Sequence, residues 1–261
     1  MTKLSVIIVT KNEERNIRDC LKSVQFADEI IVFDSSSTDN TVAICREYTP
    51  LVTVTPDWPG DGPQKNRALA LATGDWVLCL DADERVSPEL AKEMMTTLSQ
   101  TSCNAFTLSF RSRYCSKPLR FGDWFNEVHT RLFRRNHGKF TESIVHCRLQ
   151  VDGKIGRLRA PIIHFPFHEL HTLLDKMNQY STKSAQHLYQ QGKKSSLKTA
   201  LAHAFWAFTK GYCFKCGFLD GREGFLLAMS NAQGTYYRYL KLMYLWENHA
   251  THAQLNVSSH S

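Results

Sequence analysis

The chain has 261 residues and a formal net charge of +7, and 43% of its residues are hydrophobic while 22% are charged. This composition excludes an intrinsically disordered chain, because it provides enough apolar side chains to bury a core. The positive charge favours an anionic partner, such as a nucleotide diphosphate, a nucleic acid or an acidic membrane surface, and does not choose among them.

The first hundred residues predict alternating strands and helices. Four continuous apolar runs have the length and residue types of buried strands, at Leu4–Thr10, Ile30–Phe33, Leu51–Thr55 and Trp76–Leu80. Helical spacing or a capping signal marks four helices, at Asn16–Val24, from Asp39 to about Tyr48, at Gln64–Ala72 and from Ser87 onward. Strands that are apolar on both faces and joined by helices indicate a parallel sheet covered on both sides.

The pattern changes after residue 100. Ala105–Phe110 and Val128–Phe133 predict two further strands, with a basic, aromatic stretch between them. From Leu170 onward helical spacing dominates, and aromatic residues are interleaved with Lys and Arg. An ordinary helical pack and a surface that lies against a membrane both fit these helices.

This change of pattern predicts the domain organisation. We expect an α/β domain with two halves, then a helical extension that could lie near a membrane, and a flexible tail. The predicted bounds are 1–165 for the domain, about 1–100 and 101–165 for its halves, 166–250 for the extension and 251–261 for the tail.

The location of the protein is predicted from its apolar runs and cysteines. The run before Lys11 is too short for a signal-peptide core, and no charge-free stretch reaches the roughly 20 apolar residues of a spanning helix. The eight cysteines are scattered, as is typical of a reducing compartment. Cys213 and Cys216 form one CxxC, but a zinc site needs a second ligand pair, so we expect buried or membrane-facing thiols. We expect a cytoplasmic protein, peripheral at most on the membrane.

Three polar clusters follow predicted strands, at Thr10–Glu13, Asp34–Asp39 and Asp81–Asp83. Ligands of an open parallel sheet bind beyond the carboxyl ends of its strands, so the clusters should share one cleft. Carboxylates two residues apart after a buried strand can surround a hard divalent cation that keeps positions open for diphosphate oxygens. Asp39 is instead expected to cap the following helix.

The motifs carrying these clusters resemble a known family. SVIIVTKNE, FDSSSTDNT and QKNRALALATGDWVLCLDADE resemble, in this order, the signatures of family 2 glycosyltransferases of the GT-A fold. RLFRR, Val145-His146, Ile163-His164 and GFLDGREGFLLAMSNAQ resemble a branch that includes lipopolysaccharide core β-1,4-glucosyltransferases of the WaaE/KdtX type. The resemblance implies the GT-A nucleotide-diphospho-sugar transferase fold, Rossmann-like with a mostly parallel sheet, followed by a helical, membrane-proximal C-terminal extension. It also implies that residues 1–100 form the donor half of the domain and residues 101–165 the acceptor half.

The resemblance also implies a UDP-sugar donor and a divalent metal, Mg or Mn, and suggests roles for individual residues. Asp83 is predicted to contact the metal directly, and Asp81 to bind ribose or the metal through water. Asp34 would accept from the uracil N–H, and a basic residue would face the diphosphate. The other predicted donor-binding residues are Thr10, Asn12 and Glu13 for the base and ribose, and Lys65 with its neighbour Arg67 for the diphosphate.

Inversion needs a base that takes the proton of the acceptor hydroxyl, and a carboxylate is the usual choice. The related branch reads Val-His-Glu where this chain reads Val145-His146-Cys147, so the base has to be sought elsewhere. Glu142 is the first candidate and His146 the second. Glu142 is equally compatible with an ordinary surface acid.

The leading hypothesis is an inverting transferase that moves a hexose, glucose from UDP-glucose, to an inner-core heptose of lipopolysaccharide. The predicted partners are a nucleotide-sugar donor, a lipid-linked core oligosaccharide acceptor and the cytoplasmic face of the inner membrane. Transfer to polyprenyl phosphate or another surface glycan is the alternative enzyme, and a degenerate relative that binds a sugar nucleotide without catalysis is a third reading. Nucleic acid is not an expected partner, because no nucleic-acid-binding motif is visible.

Overall fold

The computed structural model describes residues 2–115, 117–142 and 147–258, with backbone alone at residue 126 and residues 249–258. The chain divides into two compact units. The first comprises Met1–Ser112 with Asn126–Phe165, and the second comprises Arg113–Phe125 with Pro166–Ser261. The residues predicted above to bind the donor and the metal all lie in the first unit.

The first unit alternates strands with helices over its first hundred residues and is mainly β-structure after them. The strands of the chain are β1 Leu4–Thr10, β2 Glu29–Asp34, β3 Val52–Val54, β4 Trp76–Asp81, β5 Glu84–Val86, β6 Ala105–Tyr114, β7 Lys117–Pro118, β8 Phe125–Arg134, β9 Gly138–Phe140, β10 Leu149–Val151, β11 Ile155–Arg157 and β12 Ile162–His164. The helices of the first unit are α1 Ile17–Ser23, α2 Thr41–Arg46, α3 Asp61–Leu71 and α4 Pro88–Leu98. The predicted α/β class is confirmed.

The main sheet has the strand order β3-β2-β1-β4-β8-β6-β12-β5. β1 pairs in parallel with β2 on one side and with β4 on the other. The chain therefore builds β2 and β3 to one side of β1 and then crosses to the other side, which makes the β1–β4 border a topological switch point. β8 is antiparallel to β4, and β9 and β10 form a separate antiparallel pair.

Side chains of β1 alternate between two buried layers. Val6 and Ile8 belong to the layer that includes α1 and α4, while Ile7 and Val9 belong to the layer that includes Ala68 of α3. Each fully buried aliphatic side chain contributes about 1.5–3 kcal/mol relative to an exposed one. Covering both faces explains why these strands read as continuous apolar runs in the sequence.

Two helix starts differ in how well the sequence predicted them. Ser87 caps α4 as predicted, since its Oγ accepts from the Leu90 N–H at 3.2 Å and Pro88 opens the helix. α3 begins at Asp61, three residues before the predicted start at Gln64. The sequence GDGP resembles a turn, but proline is tolerated in the first helical turn, whose N–H groups have no intrahelical partner.

The second unit is mainly helical. Its helices are α5 Leu170–Gln190, α6 Leu197–Thr209 and α7 Gly221–Ser258, with a π-helical turn at Lys210–Phe214 after α6. Lys241 of α7 ties to α5, because its Nζ donates to Asn178 Oδ1, Ser181 Oγ and Thr182 Oγ1 at 2.7–2.8 Å.

Among the helices that the structure describes, none combines the length and the apolar character needed to cross a membrane. The eight cysteines are free thiols, and four of them are buried. In the CxxC of the second unit, Cys213 is exposed and Cys216 is half-buried.

Candidate active site

The carboxyl ends of three neighbouring strands lie side by side in the first unit. Thr10 at the end of β1 is aligned with Asp34 at the end of β2, and Val9 is aligned with Asp81 at the end of β4. The polar clusters predicted from the sequence are thus at one edge of the sheet, beside the switch point. A ligand of an open parallel sheet binds at such an edge.

Asp34 is fully buried, and its two carboxylate oxygens are held by one residue of the following loop. Oδ1 accepts from the Ser37 N–H at 2.8 Å and Oδ2 accepts from Ser37 Oγ at 2.5 Å. Beside it the Thr10 hydroxyl is buried and has no hydrogen-bond partner among the described residues. A carboxylate oxygen can accept a second bond, so this edge keeps polar capacity for a ligand.

Asn12 joins the loop after β1 to the loop after β2. Its Oδ1 accepts from the Thr38 N–H at 2.8 Å, and its own N–H donates to Ser37 Oγ at 2.7 Å. Asn12 has a φ of 54°, a left-handed conformation that asparagine tolerates better than most residues. The contacts of Asn12 within the chain therefore hold these two loops together at the edge of the sheet.

Two acids nearby make similar local contacts. Glu13 Oε2 accepts from Asn16 Nδ2 at 2.8 Å. Asp39 Oδ1 accepts from the Thr41 N–H at 3.0 Å, but the N-cap position of α2 is Asn40, so Asp39 lies one residue before the predicted cap position. Burial opposes the charged form of Asp39, but the hydrogen bonds from Thr41 and Glu14 outweigh it and lower the pKa of Asp39.

Asp81 lies between two cations. Its Oδ1 is 3.0 Å from Lys65 Nζ, and its Oδ2 is 2.8 Å from Arg131 Nη2. Burial opposes ionisation, yet Arg131 and Lys65 hold the pKa of Asp81 far below its usual range. Burial likewise disfavours the Lys65 ammonium, and the Asp81 carboxylate outweighs it, so the pKa of Lys65 is raised. Asp81 is therefore ionised, with a cation on each oxygen.

Glu84 is buried beneath the same cluster, with a side chain 3% exposed. It accepts from Arg131 Nη2 at 2.9 Å and from the Asp81 N–H at 2.9 Å. Burial and the negative charges of Asp81 and Asp83 outweigh Arg131 and raise the pKa of Glu84 to about 7. The sequence placed Glu84 in the acidic motif and gave it no role, whereas the structure makes it the inner partner of Arg131.

Asp83 faces His164, the last residue of β12. Its Oδ2 is 3.4 Å from His164 Nε2, and the Phe165 N–H donates to the Asp83 carbonyl at 2.9 Å. Burial lowers the pKa of His164, but the hydrogen bond and charge of Asp83 outweigh it, so the pKa is raised. The sequence analysis noted the Ile163-His164 pair for its resemblance alone and did not connect it to Asp83.

The pair of Asp83 and His164 fits a divalent cation as part of an open site. A carboxylate and an imidazole are both metal ligands, and here Asp83 Oδ2 and His164 Nε2 lie 3.4 Å apart. Within the described ranges no group of three or more His, Cys, Asp or Glu side chains could hold a metal. The chain would therefore supply two protein ligands and leave the other positions to a diphosphate and water.

The two basic residues predicted for the diphosphate have different surroundings. Lys65 is buried and pairs with Asp61 and Asp81. Arg67 is exposed and forms a two-pronged pair with Asp57 at 2.8 and 2.9 Å. The structure therefore brings Lys65 into the acidic cluster, while the guanidinium of Arg67 is engaged with Asp57.

The candidates for the base lie between β9 and β10. Glu142 is described, and its side chain is 65% exposed with Oε1 3.3 Å from Asn66 Nδ2. His146 lies outside the described residues. Cys147 is half-buried and its Sγ donates to Asp61 Oδ2 at 2.9 Å. This contact links two segments 86 residues apart, and nothing in the sequence pattern pointed to it.

A mostly parallel sheet of this order, with carboxylates at its switch point and helices after it, is that of a nucleotide-diphospho-sugar transferase, the GT-A class predicted above. The model of the family "Glycosyl transferase family 2" matches residues 5–152. The chain therefore belongs to glycosyl transferase family 2. It is a nucleotide-sugar-dependent hexosyltransferase.

Two known glycosyltransferases resemble the chain over most of its length, and one solved structure resembles it over less than half. An uncharacterized glycosyltransferase of Rickettsia felis is 34% identical over 257 residues, covering 93% of this chain and 90% of that protein. The lipopolysaccharide core biosynthesis glycosyltransferase LpsC of Rhizobium meliloti is 28% identical over 266 residues, covering 97% and 96%. Among solved structures, glucosyl-3-phosphoglycerate synthase of Mycobacterium tuberculosis with Mg²⁺ and UDP is 26% identical, with a TM-score of 0.37 over 43% of this chain and 44% of that chain.

Proposed function

We propose that the protein transfers glucose from UDP-glucose, with inversion, to an inner-core heptose of lipopolysaccharide. The observation that carries this proposal is the meeting of Asp34, Asp81 and the Asp83–His164 pair at one sheet edge in a family 2 chain. The choice of lipopolysaccharide as the acceptor is supported by the likeness to LpsC, which extends over nearly the whole of both chains.

The nucleoside of the donor would lie at the ends of β1 and β2. Asp34 would accept from the uracil N–H, and the Thr10 hydroxyl, which has no partner among the described residues, would bond the nucleoside. Asn12 and Glu13 would line the base and ribose through the loop that they hold in place. Uracil presents one ring N–H between two carbonyl groups, so a buried carboxylate selects it against a base without that donor.

The diphosphate and metal would lie at the end of β4. Asp83 and His164 would hold the cation, while Asp81, with a cation on each oxygen, would bind ribose or a metal-bound water. Lys65, whose Nζ lies 3.0 Å from Asp81 Oδ1, would face the diphosphate, and Arg67 would join it by leaving Asp57. A bound divalent cation stabilises negative charge on the departing diphosphate.

The second unit would supply attachment to a membrane. Its aromatic surface consists of exposed apolar side chains of α6 and the turns after it, namely Leu197, Leu201, Phe205, Trp206, Phe214, Phe218 and Leu219. The segment 197–219 contains three lysines and no acid. Each cationic side chain near an anionic bilayer contributes about 1 kcal/mol, and aromatic residues favour the interface, so we infer contact with the inner membrane that presents the acceptor.

The donor is tested by calorimetric titration of the purified protein with UDP, GDP, ADP and CMP, each with and without Mn²⁺. We expect UDP to bind selectively and more tightly with the metal. Equal binding of the four nucleotides would contradict the donor assignment, and UDP binding indifferent to the metal would contradict the cation site.

The acceptor is tested by incubation with radiolabelled UDP-glucose and either heptose-terminated core oligosaccharide or polyprenyl phosphate. Transfer to the core oligosaccharide is the expected result. Transfer to polyprenyl phosphate alone would favour the alternative enzyme, and donor binding with no transfer would favour a degenerate relative.

A further inference from the structure

The proposed transfer leaves one chemical role without a fixed residue, that of the base. A suitable group is a carboxylate that is partly exposed, so that a hydroxyl can reach it, and is fixed close to the donor site. Asp61, in the first turn of α3, has a side chain 28% exposed. It was not singled out from the sequence, where it reads as part of a turn.

One buried lysine connects Asp61 to the edge of the sheet where the donor is proposed to bind. Lys65 Nζ lies 3.2 Å from Asp61 Oδ1 and 3.0 Å from Asp81 Oδ1, and the Lys65 side chain is only 6% exposed. Because both carboxylates contact the same ammonium, Asp61 belongs to the charge cluster at the end of β4. It is therefore held beside the place proposed for the diphosphate.

The other side of Asp61 is fixed by the segment after β9. Cys147 Sγ donates to Asp61 Oδ2 at 2.9 Å. A Cβ added to Gly62 would lie 1.8 Å from the Thr141 carbonyl oxygen, so the first turn of α3 packs directly on this backbone. Lys65 and Cys147 together hold the Asp61 carboxylate in one orientation.

We propose that Asp61 is the catalytic base of the transfer, an assignment that rests on the function proposed above. Cys147 stands where the related branch carries a glutamate, and in this chain a carboxylate from α3 reaches the same point. Asp61 would take the proton of the acceptor hydroxyl while the oxygen of that hydroxyl forms a bond to the anomeric carbon of the donor sugar. The bond from that carbon to the β-phosphate oxygen breaks at the same time, and its electron pair leaves with UDP.

The neighbouring candidates are less well placed. Glu142 is 65% exposed and its closest cation, Lys139 Nζ, is 3.8 Å away at the surface. Burial and the hydrogen bond to Asp61 raise the pKa of Cys147 to about 12, so its thiol is neutral and acts as a donor, not as a base or nucleophile.

The experiment compares Asp61→Asn with the wild type in glucose transfer from UDP-glucose to heptose-terminated core oligosaccharide. Loss of a base costs about 100-fold or more in kcat, while UDP affinity with Mn²⁺ should stay within about threefold. Glu89→Gln is the matched control, because Glu89 is also a first-turn acid, on the exposed start of α4. It should transfer at the wild-type rate.

A second variant separates a catalytic role from a structural one. The double variant Asp61→Asn, Cys147→Glu places a carboxylate at position 147, which contacts position 61 in the wild type. This variant should recover at least a tenth of the wild-type transfer rate. A residue that merely stabilises α3 would not be replaced in this way. Thermal melting of each variant reports its folding.

The outcomes distinguish failure of the base assignment from failure of the proposed function on which it rests. If the wild type transfers glucose and Asp61→Asn is fully active, Asp61 is not the base and the proposed function still stands. The same conclusion follows if only Glu142→Gln loses transfer activity. Reduced activity in Asp61→Asn that follows reduced UDP affinity, with no recovery in the double variant, would also overturn it. A wild-type protein that binds UDP and glucosylates no acceptor would overturn the function, and the base with it.

Discussion

Asp83 Oδ2 and His164 Nε2 lie 3.4 Å apart, although the two residues are 81 positions apart in the chain. Each side chain can bind a divalent cation. The acidic motif predicted this for Asp83, whereas the sequence around His164 gave no such indication. Asp83 therefore faces a histidine, whereas the two carboxylate oxygens of Asp81 face Lys65 and Arg131.

The first prediction concerns this pair. His164→Ala should raise the Mn²⁺ concentration needed for half-maximal transfer by about tenfold or more, because one of the two proposed protein ligands is lost. Asp83→Ala should abolish transfer. The measurement is the initial rate of transfer against Mn²⁺ concentration. His171→Ala, an exposed histidine of the second unit, is the control. Undiminished turnover of the wild type in a chelator would remove the metal from the proposal.

The second prediction concerns the cation beneath the motif. Arg131→Met leaves Asp81 and Glu84 without their shared guanidinium, and breaking such a buried pair costs about 3 kcal/mol of unfolding free energy. Urea denaturation at pH 7 measures the loss. Arg18→Met removes an exposed ion pair with Glu47 and should change the midpoint little. Equal effects of the two substitutions would contradict a buried charge cluster.

The third prediction is a pH dependence of stability. Burial opposes ionisation of Glu29, but hydrogen bonds from Ser5 and Thr73 outweigh it and lower its pKa below the ordinary value of 4.5. A lowered carboxyl pKa stabilises the fold above the unfolded pKa, and the effect is lost as pH falls through the folded pKa. Glu29→Gln should therefore be less stable than the wild type at pH 7, with a gap that narrows as the pH falls below the ordinary value of 4.5 and through the lowered pKa of Glu29. Urea midpoints across pH 3–7 test this, and a gap that does not change with pH would contradict it.

The fourth prediction concerns thiol reactivity. The raised pKa of Cys147, about 12, leaves almost no thiolate at pH 8, whereas Cys213 is exposed. Brief treatment with iodoacetamide followed by peptide mass spectrometry should find Cys213 modified and Cys147 intact. Asp61→Ala removes the acceptor of the Cys147 hydrogen bond and should increase its labelling. Rapid labelling of wild-type Cys147 would be inconsistent with the contact to Asp61.

The fifth prediction concerns the aromatic surface. Phe205 and Phe214 are 72% and 69% exposed, and replacing both with serine should weaken binding to vesicles containing anionic lipid by about tenfold or more. Co-sedimentation with vesicles measures the binding, and neutral vesicles show the contribution of the lysines. Met95→Ser, which removes a half-exposed apolar side chain from the first unit, is the control. Unchanged sedimentation of the double variant would exclude this surface.

The sequence by itself determined the elements whose causes are local. β1 and β4 were predicted from unbroken apolar runs, because strands buried on both faces need apolar side chains at every position. The start of α4 followed from a serine cap and a proline one residue later. The place of the acidic motif at a strand end was predictable for the same reason, since it adjoins such a run.

The tertiary structure alone decided which polar side chains of the site meet. Arg131 with Glu84, His164 with Asp83 and Cys147 with Asp61 are contacts between segments far apart in the chain. The earlier start of α3, which places Asp61 in a helical turn, was hidden by glycine and proline, residues that fit a turn as well as a first helical turn. Local propensity fixes strands and caps within a few residues, whereas the partner of a buried charge depends on which elements the sheet order brings together.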